Sequence, residues 1–210
     1  IKKLMYSVKQ RSIILASTSF SRKTLLENAS IEFTVHPPFV DEESIKQSSI
    51  AKKKTPQECA VLLAETKGAY IARNFPDAFV ISGDQILDFG GRCFSKPTNQ
   101  QQAKTQLLEL QGNTHVLHTS VVVFLHGKKI WHHLSSPKVT LRSLTVTEIN
   151  DYLGQIGNYA LKSPGSYQIE SLGCHIINAY TGSFYDILGL PLLPLLKFLR
   201  SKGLSAIEKE

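Results

Sequence analysis

Two short apolar runs constrain the fold of this chain more than any other feature. Ser12-Ile-Ile-Leu-Ala16 and Ala78-Phe-Val-Ile-Ser82 are each five residues long. Runs that short and that apolar read as buried strands, since a helix needs about ten residues or more. Helical signals fall between and after them. Thr55 is an N-cap, Pro56 suits the first helical position and Glu58 completes a capping box. Ala60, Leu63, Ala64 and Ile71 form the apolar stripe of that helix, and Pro76 stops the chain after it. Residues 24–28 look helical, and residues 31–35 alternate as a second strand before a loop at Pro37-Pro38. Residues 99–110 form a helix on Ala103, Leu107, Leu108 and Leu110. Residues 114–125 and 129–141 are expected as two long strands around a turn at His126-Gly127. A second capping box, Thr145 with Glu148, opens a helix to about Leu153, and residues 192–199 form a C-terminal helix. Strands and helices alternate, so the class is α/β or α+β. With no internal repeat or linker, one domain is expected over residues 12–203, preceded by a flexible basic leader over residues 1–11.

Composition removes several function classes. The three cysteines, Cys59, Cys93 and Cys174, are odd in number and far apart, which excludes a disulfide scaffold and fits a reducing cytosol. No zinc-type Cys or Cys/His pairing occurs. The longest apolar stretch, residues 187–199, is broken by Pro191, Pro194 and Lys197, so no membrane span is expected. Net charge is +7, and residues 1–54, with 10 basic and 5 acidic side chains, carry most of it. Such a basic quarter is either an ordinary solvated surface or a site for nucleic acid or phosphorylated small molecules. Zinc-finger, RRM and bZIP signatures are absent, so a phosphate-bearing small molecule is favoured over nucleic acid.

Four segments carry chemistry. Lys67 lies on the apolar stripe of its helix, where a lysine costs desolvation unless an anion accompanies it. It is either a stripe-edge lysine reaching back to water or a cation aimed at phosphate. Gly83-Asp84-Gln85 follows directly on the strand at 78–82, and α/β folds place site residues just past strand ends. An aspartate there could orient a water or hold a divalent ion, or simply form a turn. Lys96-Pro97 sets a cation beside the start of the helix at 99, which favours phosphate but is also an ordinary turn. Ser17-Thr-Ser-Phe-Ser-Arg-Lys23 joins a strand to a helix with hydroxyls, free N–H groups and two cations, but without P-loop glycines. The seven histidines show no metal spacing.

In order along the chain, these segments resemble the Maf family of nucleoside triphosphate pyrophosphatases. Leu15-Ala-Ser-Thr-Ser-Phe-Ser-Arg-Lys-Thr-Leu-Leu26 is similar to the family's opening Leu-Ala-Ser-x-Ser motif. Val40-Asp41-Glu42, Leu63-Ala-Glu-Thr-Lys67-Gly, Gly83-Asp84-Gln85, Ser95-Lys96-Pro97, Leu110-Gln-Gly-Asn-Thr-His115, Gly165-Ser-Tyr-Gln-Ile-Glu170 and Leu188-Gly-Leu-Pro191 match further family motifs at compatible spacing. The resemblance runs from about Ile13 to the C-terminal helix. It departs at Phe20, where the family has Pro, at Lys23, where it has Arg, and at Lys162-Ser163, where many members have Asp-Lys.

The resemblance implies an elongated α/β protein with a mixed sheet flanked by helices. Like inosine triphosphate pyrophosphatases, it would have two lobes around a cleft. It also implies a cytoplasmic homodimer, a Mg²⁺ or Mn²⁺ requirement and cleavage of a nucleoside triphosphate to monophosphate and pyrophosphate. Asp84 matches the catalytic aspartate, Arg22, Lys67 and Lys96 the phosphate-binding cations, with Ser17 and Ser19 beside them. Glu42 matches an acidic position that joins Asp84 as a candidate metal ligand. Ser21, Gln85 and Glu170 fall at positions that set base choice, where Gln85 and Glu170 resemble the 7-methyl-GTP branch. The competing expectation is a regulatory protein of cell division or septum formation with little or no catalysis.

Overall fold

The alternation of short apolar strands and capped helices resolves into one open mixed sheet of eight strands. In a computed structural model, residues 12–204 and residue 207 are described; the expected leader at 1–11 lies outside them. The strands are β1 (Ile13–Ala16), β2 (Thr34–Val35), β3 (Phe79–Phe89), β4 (Arg92–Phe94), β5 (Thr114–Leu125), β6 (Lys128–Ser135), β7 (Lys138–Leu141) and β8 (Ile177–Thr181). Their order is β2-β1-β3-β5-β7-β8, with β4 also on β3 and β6 also on β5. β1 pairs in parallel with β2 and β3, and the remaining pairs are antiparallel.

Alternation along β1 and β3 assigns the helices to faces. Ile14, Ala16, Val80 and Val122 pack with Ala64, Ile71 and Ala72 of α3 (Pro56–Ala72). Ile13, Leu15, Ile81, Val121 and Val123 face the other way, onto α1 (Phe20–Asn28) and the C-terminal helix α7 (Leu192–Ser201). A second core lies at the far end of the sheet. There Leu87, Leu117, Val139 and Leu141 pack against α4 (Gln100–Leu110) and α5 (Val146–Ile156). The two remaining helices are α2 (Glu42–Ala51) and α6 (Phe184–Ile187). Among the described residues no helix is long and apolar enough to cross a membrane.

The structure redraws two of the expected strands. β3 does not end at Ser82, because each residue from Val80 to Asp88 stands opposite a β5 residue and the ladder carries the strand through its polar stretch. The strand expected at 129–141 is two, β6 and β7, parted at Ser136-Pro137. Pro137 has no N–H to give the ladder, although its carbonyl still accepts from Leu117 N at 2.9 Å. Both expected capping boxes are formed. α1 starts at Phe20, earlier than expected, because Ser19 caps it. α2 was not expected: its single buried residue is Ser49, so it carries almost no apolar stripe to read.

Two quoted motifs meet in the second core. His115 on β5 shares a 2.6 Å hydrogen bond with the Tyr167 hydroxyl. Desolvation pushes the His115 pKa down from 6.5 to about 4, and it pushes the Tyr167 hydroxyl upward, so both stay neutral. The unfolded chain therefore binds a proton between pH 6.5 and 4 that the native state refuses. Stability contributed by neutral His115 is full above pH 6.5 and is lost as pH falls toward 4, by about 3 kcal/mol for a shift of this size. Urea unfolding of wild type and His115→Phe across that range should show this extra slope in wild type alone; parallel slopes would contradict it.

Candidate active site

The sheet forks along β3. Residues 79–82 of β3 pair with β1 and residues 87–89 pair with β4, so residues 83–86 have neither neighbour on that edge. Asp84 sits in this gap, past the end of β1 rather than past the end of its own strand. Its side chain shares a face with Ser120, its partner on β5, and this is the face α3 covers.

Lys67 reaches Asp84 from α3. Its Nζ lies 2.5 Å from Asp84 Oδ1 and 2.8 Å from Glu42 Oε1. Lys67 is 6% exposed and Asp84 5%, so the anion the sequence demanded for a stripe lysine is present. Gly68 allows the approach. A Cβ there would lie 2.7 Å from the Phe124 ring and 3.2 Å from Ser82 Cβ, so any larger residue would force that ring to shift or lift α3 off the sheet. Glu42 is the first residue of α2, behind the Asp41 N-cap, whose carboxylate accepts from Ser44 N at 3.0 Å. Burial works against the Glu42 carboxylate, but Lys67, Lys46 and Lys96 outweigh it and hold its pKa below the ordinary value.

Arg22 comes from the other face. It sits in the first turn of α1, buried, with its Nε donating to the Gly189 carbonyl at 2.7 Å and its Nη1 to Ser17 Oγ at 3.4 Å. Ser19 caps the helix by accepting from Arg22 N at 3.4 Å, and Ser17 Oγ accepts from Ser19 N at 3.1 Å. Desolvation lowers the Arg22 pKa, opposed by the charges of Asp84 and Glu42; a guanidinium remains protonated regardless. Lys96, exposed between β4 and α4, has its pKa lowered first by partial desolvation and next by the Arg22 charge, and Lys67 adds to this. Glu42 and Asp84 oppose the shift. Arg22, Lys67, Lys96, Glu42 and Asp84 thus form one electrostatic cluster at the fork.

The other sequence-marked residues stand apart. Ser21 is half-buried and, among the described residues, makes no side-chain hydrogen bond. Gln85 points to the opposite face from Asp84, as a strand neighbour must. Its Nε2 lies 2.8 Å from Thr119 Oγ1, 3.0 Å from Asp186 O and 3.1 Å from Ile187 O. Glu170 is exposed on the second core's side, with Tyr152 among its electrostatic neighbours. Sequence reasoning gave no role to Thr119 or to residues 186–189. The one signal for the latter was the Leu188-Gly-Leu-Pro191 motif.

Comparison with known proteins places this geometry in a context. The family profile described as "Maf-like protein" matches residues 12–202. A protein of Paramagnetospirillum magneticum named nucleoside triphosphate pyrophosphatase is 42% identical over 190 residues, 90% of this chain and 98% of its own. One of the same name from Rhodospirillum rubrum is 43% identical over 91% of this chain and 95% of its own. A protein of Bartonella quintana named 7-methyl-GTP pyrophosphatase is 42% identical over 92% of this chain and 96% of its own.

The two carboxylates on Lys67 are not equivalent. Glu42 has a side chain 46% exposed, whereas that of Asp84 is 8% exposed. Lys67→Met should leave Asp84 buried without its counter-ion and cost about 3 kcal/mol in urea unfolding at pH 7. Glu42→Gln should cost under about 1 kcal/mol, as a partly solvated pair does. Equal losses for the two variants would show that burial does not set the strength of these contacts.

Proposed function

The chain belongs to the Maf-like protein family and is an enzyme of the nucleoside triphosphate pyrophosphatase class; from that premise we propose that the fork beside β3 is its catalytic site. The observation that carries the proposal is the Lys67 ammonium, held 2.5 Å from Asp84 and 2.8 Å from Glu42 with Arg22 and Lys96 in the same electrostatic cluster. Three cations against two carboxylates leave the cluster net positive, which suits a polyanionic triphosphate. Arg22, Lys67 and Lys96 would bear on phosphate oxygens and offset the charge that builds up as the α–β phosphoanhydride breaks. Asp84 would accept the proton of the attacking water; once phosphate draws on Lys67, the carboxylate is freer to do so.

Glu42 and Asp84 also fit a divalent ion. Both aim an oxygen at one cationic point, and hard ions such as Mg²⁺ are held by one or two carboxylates together with substrate phosphates. Among the described residues no cluster of three or more His, Cys, Asp or Glu side chains forms a complete metal cage. Such an ion, when bound, neutralises phosphate charge.

For the base, the proposal is a guanine-type substrate, 7-methyl-GTP first. Glu170 makes no hydrogen bond among the described residues, so both its oxygens remain able to accept from the ring N–H and exocyclic amine of guanine. A methyl group at N7 adds positive charge that a carboxylate favours. Uracil and thymine would set carbonyl oxygens against it. The name of the Bartonella quintana relative agrees with this choice.

A panel of nucleoside triphosphates tests the reading. Wild type should release pyrophosphate and a monophosphate, lose turnover in EDTA and regain it with Mg²⁺ or Mn²⁺. Release of orthophosphate and a diphosphate would rule the reaction out. Asp84→Asn should stay folded and lower kcat by at least about 10²-fold; near wild-type turnover would remove Asp84 from the mechanism. Glu170→Gln should shift preference toward pyrimidines by about 1–3 kcal/mol. Faster hydrolysis of UTP or dTTP than of 7-methyl-GTP by wild type would sink the base assignment alone.

A further inference from the structure

The hydrogen bonds that fix the turn at 186–189 have no part in the reaction scheme above. Gln85 Nε2 donates into the Asp186 and Ile187 carbonyls, and the Thr119 hydroxyl donates to the Asp186 carbonyl at 2.9 Å. Thr119 Oγ1 in turn receives Gln85 Nε2 at 2.8 Å. Gly189 N–H returns to the same Asp186 carbonyl at 3.1 Å. The next carbonyl in use is that of Gly189, which accepts Arg22 Nε at 2.7 Å. Gly189 has a φ of +99°, a conformation a glycine takes without strain, and a Cβ there would lie 3.6 Å from Arg22 Nη2. One end of the turn is thus bolted to β3 and β5, and the other end grips the guanidinium. With Nε held and Nη1 leaning on Ser17, Nη2 makes no hydrogen bond among the described residues. That leaves Nη2 as the Arg22 donor able to meet an anion.

We infer that Gln85 and Thr119 are positioning residues for Arg22, acting through the 186–189 turn. Gln85 lies on the face of β3 opposite Asp84, with its amide nitrogen engaged by three internal acceptors. Through the turn it serves phosphate binding at second hand, while its amide oxygen makes no hydrogen bond among the described residues. This rests on the reading of Arg22 as a phosphate ligand. It gives that ligand the rigid backing that a planar, bidentate donor requires if its direction is to matter.

Inorganic tripolyphosphate isolates the support of Arg22, since it carries the phosphates and no base. Its affinity would be measured by calorimetry for wild type, Gln85→Leu, Thr119→Val, Thr119→Ser, Arg22→Ala and the Arg22→Ala/Gln85→Leu double variant. Gln85→Leu and Thr119→Val should weaken binding about fivefold, the scale of one net hydrogen bond. Thr119→Ser, which keeps the hydroxyl, should bind as wild type does. The double variant should bind no more weakly than Arg22→Ala alone, because the support has nothing left to aim. With nucleotides, Thr119→Val should raise KM for every base and leave kcat nearly unchanged.

Wild-type tripolyphosphate affinity in Gln85→Leu or in Thr119→Val would overturn the inference. Additive losses in the double variant would overturn it as well. If Gln85→Leu does not fold, the contrast between Thr119→Val and Thr119→Ser decides in its place. Failure of wild type to bind tripolyphosphate would overturn the phosphate-site reading and this inference together. Binding without turnover of any nucleotide would overturn catalysis only, and the binding comparisons would still decide the positioning role.

Discussion

The ammonium of Lys67, closed between Asp84 and Glu42, is the contact on which the site's architecture depends. A buried lysine must recover its lost hydration from anions at contact distance. That requirement propagates outward. α3 must lie close against the sheet, which Gly68 permits by offering no Cβ to the Phe124 ring. β3 must continue beyond β1, so that a carboxylate can stand in an open edge rather than inside a paired ladder. α2 must bring the Glu42 carboxylate to the same point, and with Ser49 its single buried residue, that contact is among the few that hold the helix in place.

Much of this was legible in the residues, though partly for the wrong reason. Lys67 could be placed on an apolar stripe and its need for an anion stated, because helical periodicity and desolvation act over a few residues. Asp84 was singled out as lying just past a strand end; in fact the strand runs on, and the strand that ends there is β1. Apolar composition fades at Ser82 while the hydrogen-bond ladder does not, and a sequence displays only the former. Reading β3 through to Phe89 would also have turned Gln85 away from Asp84, since alternate residues face opposite ways. The split falls at Pro137, inside a strand-like pattern that runs on past it and masks the break.

What stayed hidden was long-range. Gln85 meets Asp186 across 101 residues, Arg22 meets Gly189 across 167, and His115 meets Tyr167 across 52. No local propensity encodes such partners. They follow from the order of strands in the sheet, and the family motifs marked the residues without saying what they touch. The Leu188-Gly-Leu-Pro191 motif illustrates the point. Its glycine looks like a simple turn signal, yet its carbonyl holds a buried arginine.

Under the proposed function, the asymmetry around Lys67 sets how the site would meet a triphosphate. An ammonium carries three N–H donors. Asp84 takes one at 2.5 Å and Glu42 another at 2.8 Å, and the third has no acceptor among the described residues. A phosphate oxygen can therefore be received before either carboxylate is displaced. When competition begins, the Glu42 contact would be the first to yield, because its side chain is 46% exposed and water can replace the lysine at little cost. The Asp84 contact is buried and resists until phosphate charge has replaced its pull on Lys67. Binding would thus proceed from the solvated side of the cluster inward. Asp84, the proposed proton acceptor, would then be the last to be released, with the phosphates already in place.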